Sequence, residues 1–150
     1  MSLETKVMDE LKNAMRAKDE AALRTLRAIK AAIIIEKTAE GASGEINEAT
    51  ELKMLQKLAK QRRDSLEIFE KQNREDLASK EREELAIIEK FLPKQMSADE
   101  LRAEVKAIID QVGAKSPADM GKVMGVASKQ LAGKTDGKAI SEMVKQLLAQ

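Results

Sequence analysis

Apolar residues recur three and four positions apart along most of the chain, and this spacing predicts helices. Seven helical segments are predicted, and no alternating run bounded by turn residues indicates a strand. The first two helices begin after the capping residues Ser2 and Asp19. The second contains residues 31–35, which are apolar almost all round and predict a helix covered on more than one side. The two apolar stripes are Leu3, Val7, Leu11 and Met15 in the first helix, and Ala22, Leu26, Ile29 and Ile33 in the second.

Two long helices are predicted in the middle of the chain, after a loop at residues 38–46. One is expected from Asn47 to about Gln72, and the other from a capping residue, Asn73, to about Phe91. Because only a short turn separates them, they are predicted to form an antiparallel hairpin.

Pro93 ends the fourth helix, since proline clashes with the preceding helical turn. Ser97 and Glu100 then form a capping box that starts the first of three shorter helices. The predicted fold is therefore all-α, with a larger N-terminal helical domain (1–92) that contains the long hairpin and a small C-terminal three-helix domain (93–150). The other end signals in the second domain are Gly113, Ser116 with Pro117, Gly133 and Asp136.

Composition removes several kinds of chemistry. The chain has no cysteine and no histidine, so it lacks thiolates, disulfides and the commonest general base and metal ligand. We predict no catalytic residue, no metal site and no cofactor. The net charge is +1, so the chain as a whole has no basic signature of a nucleic-acid binder. No apolar run approaches the length of a membrane span and the N-terminal segment has no apolar signal core, which leads us to expect a cytoplasmic protein with no membrane partner.

The C-terminal domain contains the clearest candidate binding residues. Residues 113–140 hold five lysines against two aspartates, a local charge of +3. Small residues there allow close approach of a phosphate or of another backbone, and the helix starts at Ser116 and Asp136 offer backbone N–H groups to an anion. The alternative is close helix packing at the glycines, with lysines kept for solubility. The RNA-binding candidates are Lys122, Lys129, Lys134, Lys138, Gly121 and Gly125.

A second set of basic candidates lies in the N-terminal domain: Arg24, Arg27, Lys30, Arg62 and Arg63. The first three are spaced three apart on one helix face and could meet phosphates, although a solvated face is the favoured interpretation. Arg62 lies on the apolar side of its helix, so an ion pair with an acid of a neighbouring helix is favoured over an anchor in a binding groove.

The fourth helix is rich in acids. Glu81, Glu83, Glu84 and Glu89 alternate with Lys80, Arg82 and Lys90. Paired carboxylates for acid–base catalysis would need a pocket that separates their pKa values. The alternation with bases favours a solvated helix instead.

Three segments together resemble a known family. They are LRTLRAIKAAIIIEK (23–37), QRRDSLEIFEKQNREDLASKEREELAIIEKFLPKQMS (61–97) and SPADMGKVMGVASKQLAGKTDGKAISEMVKQLL (116–148). They resemble the bacterial YqeY family, also called GatB/YqeY-domain proteins, and the resemblance spans nearly the whole chain. It implies an all-α protein in two parts, similar to the tail of the GatB subunit of the glutamine-dependent Asp/Glu-tRNA amidotransferase.

That resemblance also implies a function. The tail of GatB helps to hold tRNA, while the chemistry takes place in a separate, larger domain. The label of carbon–nitrogen ligase activity with glutamine as amido-N-donor therefore describes a relationship to that enzyme. We do not expect this chain to be an enzyme that acts alone. We expect a tRNA-binding or tRNA-amidotransferase-associated helical module whose partners are tRNA, amidotransferase subunits or another protein. The alternative is a protein–protein adaptor that does not bind nucleic acid.

Overall fold

The computed structural model describes residues 2–39, 41 and 43–150. Within these residues the chain is built from helices alone, which confirms the all-α prediction. The helices are α1 (Leu3–Ala17), α2 (Glu20–Thr38), α3 (Glu48–Lys71), α4 (Glu75–Glu89), α5 (Ala98–Val112), α6 (Met120–Gln130) and α7 (Gly137–Leu148), with a short 3₁₀ helix (Pro117–Asp119) before α6.

The chain divides into two compact units, residues 1–92 and 93–150. The division falls at the predicted boundary, and independent folding of the two parts stays a prediction. No helix in the described part of the chain is both long and apolar enough to cross a membrane.

In the first unit, α3 and α4 pair along their length as the predicted hairpin, and α2 packs against α1, α3 and α4. Ile29, Ile33 and Ala59 are almost completely buried at the centre of this core. Met54 and Leu55 from α3 and Ile88 from α4 complete the contact between the hairpin and α2. Because α2 touches all three other helices of the unit, it is the element that holds them together.

Several helix starts follow the predicted capping chemistry. The side chains of Ser2, Asp19, Asn47, Ser97 and Asp136 each accept a hydrogen bond from a backbone N–H in the first turn of their helix. These bonds satisfy amide donors that have no partner within the helix.

The predicted cap of α4 is wrong. Asn73 adopts a left-handed conformation with φ 55°, and its N–H donates to the Glu70 carbonyl at 3.1 Å. Asparagine tolerates this conformation better than most residues. Asn73 therefore closes the end of α3, while Arg74 occupies the cap position of α4 without a side-chain cap hydrogen bond.

The second helix also departs from expectation. Ile29 and Ile33 are buried, but Ile34 is 49% exposed and Ile35 is 66% exposed. The prediction that residues 31–35 are covered on more than one side is wrong at these two positions and at Ala31, which is also exposed, because the other helices of the first unit pack against the opposite face of α2.

In the second unit, α5, α6 and α7 pack pairwise around Val105, Val123 and Val144, which are completely buried. Gly113 and Gly133 have φ 71° and 80°, the left-handed conformation that glycine adopts without a steric penalty. The segment after Pro93 is fixed to the loop that follows α6. Gln95 Nε2 donates to the Gly133 carbonyl at 2.8 Å, and the Met96 N–H donates to the Lys134 carbonyl at 2.8 Å.

Candidate nucleic-acid interface

The four candidate lysines lie on three consecutive pieces of the second unit, and all four are exposed. Lys122 and Lys129 lie in the first and last turns of α6, seven residues apart and therefore on one face, about 10 Å apart along the axis. Lys134 belongs to the loop between α6 and α7, and Lys138 to the first turn of α7. In the ranges that the structure describes, neither Lys129 nor Lys134 forms an ion pair.

Gly121 and Gly125 lie on α6 beside these lysines. Both are exposed, and a Cβ atom built at either position would meet nothing within 4 Å. Close helix packing at the glycines, one part of the alternative interpretation, is therefore not seen in the described part of the second unit, while lysines kept for solubility stay an alternative. Glycine in an exposed helix costs about 0.5–1 kcal/mol relative to alanine, and no packing contact offsets this cost.

The backbone N–H groups proposed as anion donors are partly occupied. Asp119 Oδ2 accepts from the N–H groups of Lys115 at 2.9 Å and Ser116 at 3.3 Å. These two hydrogen bonds lower the pKa of Asp119, with a smaller contribution from the charge of Lys122. At the other helix start, Asp136 Oδ1 accepts from the Ala139 N–H at 2.6 Å. An anion at this surface would therefore contact the lysine side chains more readily than the backbone N–H groups at these two helix starts.

The arginines of the first unit are mostly paired with acids. Arg62 on α3 donates to Glu84 on α4 at 2.7 Å, which confirms the predicted ion pair between neighbouring helices. Arg24 on α2 donates to the same carboxylate at 2.7 Å. Glu84 thus links three helices, with Arg24 also 3.8 Å from Glu83. Arg63 lies 3.8 Å from Glu89.

The expectation that the acids of α4 are all solvated is wrong for two of them. The side chains of Glu81 and Glu84 are only 14% and 13% exposed. Glu81 Oε2 lies 3.4 Å from Arg62 Nη1 but forms no hydrogen bond. Burial therefore outweighs the attraction of Arg62 and raises the pKa of Glu81. The sequence shows the alternation of charges but not which helix covers them.

Arg27 and Lys30 remain from the second set. Arg27 is exposed and Lys30 is half-buried, and neither pairs with a carboxylate in the described part of the chain. A phosphate could meet these two directly, whereas at Arg24, Arg62 and Arg63 it would have to displace a glutamate.

The first unit also contains a groove that was not predicted from the sequence. It has a volume of about 640 Å³ and is lined by Leu26 of α2, Ile87 of α4 and Phe91, which follows α4. Lys6, Asp9 and Glu10 of α1 line it as well. Ala14, Ala17 and Ala22 also line it, and such small residues on neighbouring helices are the signal in the sequence that could have indicated a groove. Across residues 2–39, 41 and 43–150, no three carboxylates are grouped so as to hold a metal ion.

A family model described as Yqey-like protein matches residues 4–148. Among curated proteins, the chain is similar to the "Altered inheritance of mitochondria protein 41, mitochondrial" of three fungi. The protein of Pyrenophora tritici-repentis (strain Pt-1C-BFP) is 31% identical over 146 residues, which cover 93% of this chain and 77% of that protein. That of Saccharomyces cerevisiae (strain YJM789) is 32% identical over 134 residues, covering 87% and 69%. That of Vanderwaltozyma polyspora is 39% identical over 83 residues, covering 55% and 44%.

These relatives contradict one expectation and differ from a second. Their names describe them as mitochondrial, so the predicted cytoplasmic location is wrong on this comparison. That location was inferred from the absence of an apolar span and of an apolar signal core, and such an absence does not select a compartment. The relatives are also fungal, whereas the resemblance suggested a bacterial protein.

Proposed function

Since the chain belongs to the YqeY family, we propose that it is a helical RNA-binding module whose C-terminal unit contacts the phosphates of tRNA. The contacting side chains are Lys122, Lys129, Lys134 and Lys138. The observation that supports this proposal most directly is the exposure of all four lysines on α6, α7 and the loop between them. Such lysines can replace the counterions of a phosphate backbone, the main source of affinity for nucleic acid.

The surroundings of α6 also suit a nucleic-acid backbone. Open space over Gly121 and Gly125 lets a phosphate approach the helix more closely than a side chain would allow. Recognition would rely on backbone and shape, because the two aromatic residues, Phe69 and Phe91, are both half-buried and offer no exposed platform for stacked bases. The module would then position tRNA for an amidotransferase, in keeping with the kinship to carbon–nitrogen ligases, without performing the chemistry itself.

The test is binding of fluorescently labelled total tRNA, followed by anisotropy at several salt concentrations. We expect wild-type binding that weakens steeply as salt rises. Alanine at all four lysines should weaken binding and lower the slope of log K against log salt by about 3, since each lost contact with a phosphate removes about 0.7–0.9.

A matched control removes four exposed lysines of the first unit, with the same change in net charge. We choose Lys12, Lys53, Lys57 and Lys80, all exposed. This control should lose little affinity. If the control and the C-terminal variant weaken binding equally, the effect is one of net charge, and the assigned lysines do not form the interface. Wild-type affinity in the C-terminal variant would also contradict the proposal.

A protein–protein adaptor is the second candidate function. The specific observation in its favour is the exposure of Ile34 and Ile35 on α2, where two large apolar side chains lie next to each other in water. If a partner protein is found and its complex with this chain persists at high salt, an apolar protein interface is favoured over a phosphate contact.

A further inference from the structure

One side of α2 is exposed in the described part of the first unit, although Arg24 at its start pairs with Glu84 of α4. The exposed residues of this helix from Arg24 onward are Arg24, Arg27, Ala28, Ala31, Ile34, Ile35 and Thr38, which we call the outer face of α2. Positions 24, 28, 31, 35 and 38 are spaced alternately four and three residues apart. This is the spacing of the core positions in a coiled coil, where one helix packs lengthwise against another.

The shape of the outer face suits another helix. Ala28 and Ala31 are small and exposed, so a partner helix can approach closely at the middle of the face. Ile34 and Ile35 follow at its C-terminal end, 49% and 66% exposed. Elsewhere on the described part of the first unit, the exposed large apolar residues are Met8 and Met15 on α1, at 37% and 55%, and Ile68 on α3, at 52%. No two of these three are adjacent in the sequence, as Ile34 and Ile35 are. The outer face therefore combines a shallow centre with an apolar anchor, as helix-binding surfaces do.

Acids lie near the N-terminal end of the outer face, where Glu83 and Glu84 contact Arg24 and Glu20 lies four residues before it. Farther along α2, the bases lie on one side of the face and the half-buried Glu36 lies on the other. Arg27 and Lys30 flank the apolar stripe and pair with no carboxylate in the part of the chain that the structure describes. Arg24 is already paired with Glu84. The outer face itself contains no acidic residue. Two unpaired bases beside an apolar stripe are complementary to an amphipathic helix with acidic flanks.

We propose that the outer face of α2 docks an acidic amphipathic helix of a partner protein. The apolar side of that helix packs over Ala28, Ala31 and Ile35, and its acids pair with Arg27 and Lys30. A second copy of this chain fits less well, because a two-fold interface places the same patch on both sides. That patch would bring the arginines of the two copies together, and no exposed residue of α2 between Arg24 and Thr38 is a carboxylate that could pair with Arg27.

The probes are two synthetic 21-residue peptides, each of three heptads with leucine and alanine at the core positions. One has glutamate at the flanking positions and the other has lysine. Each is labelled with fluorescein and titrated with the full chain, with anisotropy as the readout. We expect the acidic peptide to bind at least ten times more tightly than the basic one. Equal affinity for the two peptides, or no binding of the acidic peptide, would overturn the proposal.

Matched variants locate the binding site. Ile35→Ser and Arg27→Ser should each weaken binding of the acidic peptide about tenfold. Ile68→Ser on α3 and Arg16→Ser on α1 remove an equally exposed isoleucine and an exposed arginine elsewhere, and should leave binding unchanged. Equal losses in the two sets would refute the assignment to α2. All four positions are on the surface, so the variants should fold, as circular dichroism at 222 nm can verify.

Sedimentation velocity tests the competing occupant. A dimer of the free chain that Ile35→Ser dissolves would assign the outer face to self-association and overturn the proposal of an acidic partner. This inference uses the first unit, whereas the tRNA proposal uses lysines of the second. Failure of either set of variants therefore leaves the other result interpretable.

Discussion

The carboxylate of Glu84 joins α2, α3 and α4 through hydrogen bonds, and its replacement by glutamine tests how much this link stabilises the first unit. The side chain accepts one hydrogen bond from Arg24 and one from Arg62, each at 2.7 Å. Glutamine keeps the size of the side chain but removes the charge and leaves one oxygen in place of two. At least one of the two hydrogen bonds is therefore lost, and the remaining one is no longer between charged groups.

The loss of stability expected for Glu84→Gln depends on how exposed the three side chains are. A hydrogen bond between charged groups contributes about 1.5–3 kcal/mol when buried. Here the Glu84 side chain is 13% exposed, but Arg24 and Arg62 are 45% and 31% exposed, so water compensates part of the loss. We expect Glu84→Gln to lower the free energy of unfolding by about 2 kcal/mol, roughly a thirtyfold change in the equilibrium constant.

The assay is urea unfolding followed by circular dichroism at 222 nm, because urea is uncharged and does not screen ion pairs. The matched control is Asp64→Asn, which removes the exposed pair between Asp64 and Lys60, 2.9 Å apart on one helix with side chains 59% and 69% exposed. Such a pair contributes about 0.3–0.5 kcal/mol. If Glu84→Gln costs no more than Asp64→Asn, the link between the three helices does not stabilise the fold and our reasoning is wrong.

Three further predictions follow from local geometry. Because burial raises the pKa of Glu81, the folded protein binds this proton more tightly than the unfolded chain, and stability falls as pH rises from the ordinary pKa of glutamate through the raised one. Glu81→Gln should therefore be neutral or stabilising at pH 7 in urea unfolding, and clear destabilisation there would contradict this. Gly125→Ala should raise the free energy of unfolding by about 0.5–1 kcal/mol, since its Cβ meets no atom. The same substitution should weaken tRNA binding if a phosphate approaches there. A drop in stability would contradict the open space at this position. Asp119→Asn should lower the thermal midpoint of unfolding at pH 7. The difference in midpoint between wild type and variant should disappear as pH falls through the lowered pKa of Asp119. A difference that is unchanged at low pH would exclude the two backbone hydrogen bonds as its cause.

Much of the secondary structure could be predicted from the sequence alone. The helical period, the capping oxygens of Ser97 and Asp136, and the stop at Pro93 are local signals, and the structure has the helices where these signals place them. The partner of Arg62 was predictable in kind, because an arginine between apolar residues of a helix needs a carboxylate. Local signals suffice for such features because they depend on residues within one or two turns.

Tertiary structure alone decided which face of each helix is covered. Glu81 and Glu84 alternate with bases in the sequence as solvated acids do, yet α3 and α2 cover them. Ile34 and Ile35 belong to an apolar run, yet they face water because the other helices of the unit pack on the opposite side of α2. A helical period fixes the relative direction of side chains within a helix, but burial depends on neighbours distant in the chain. For that reason the sequence by itself determined the helices of this protein, and only the packing of α2 against α1, α3 and α4 decided that the outer face of α2 is exposed.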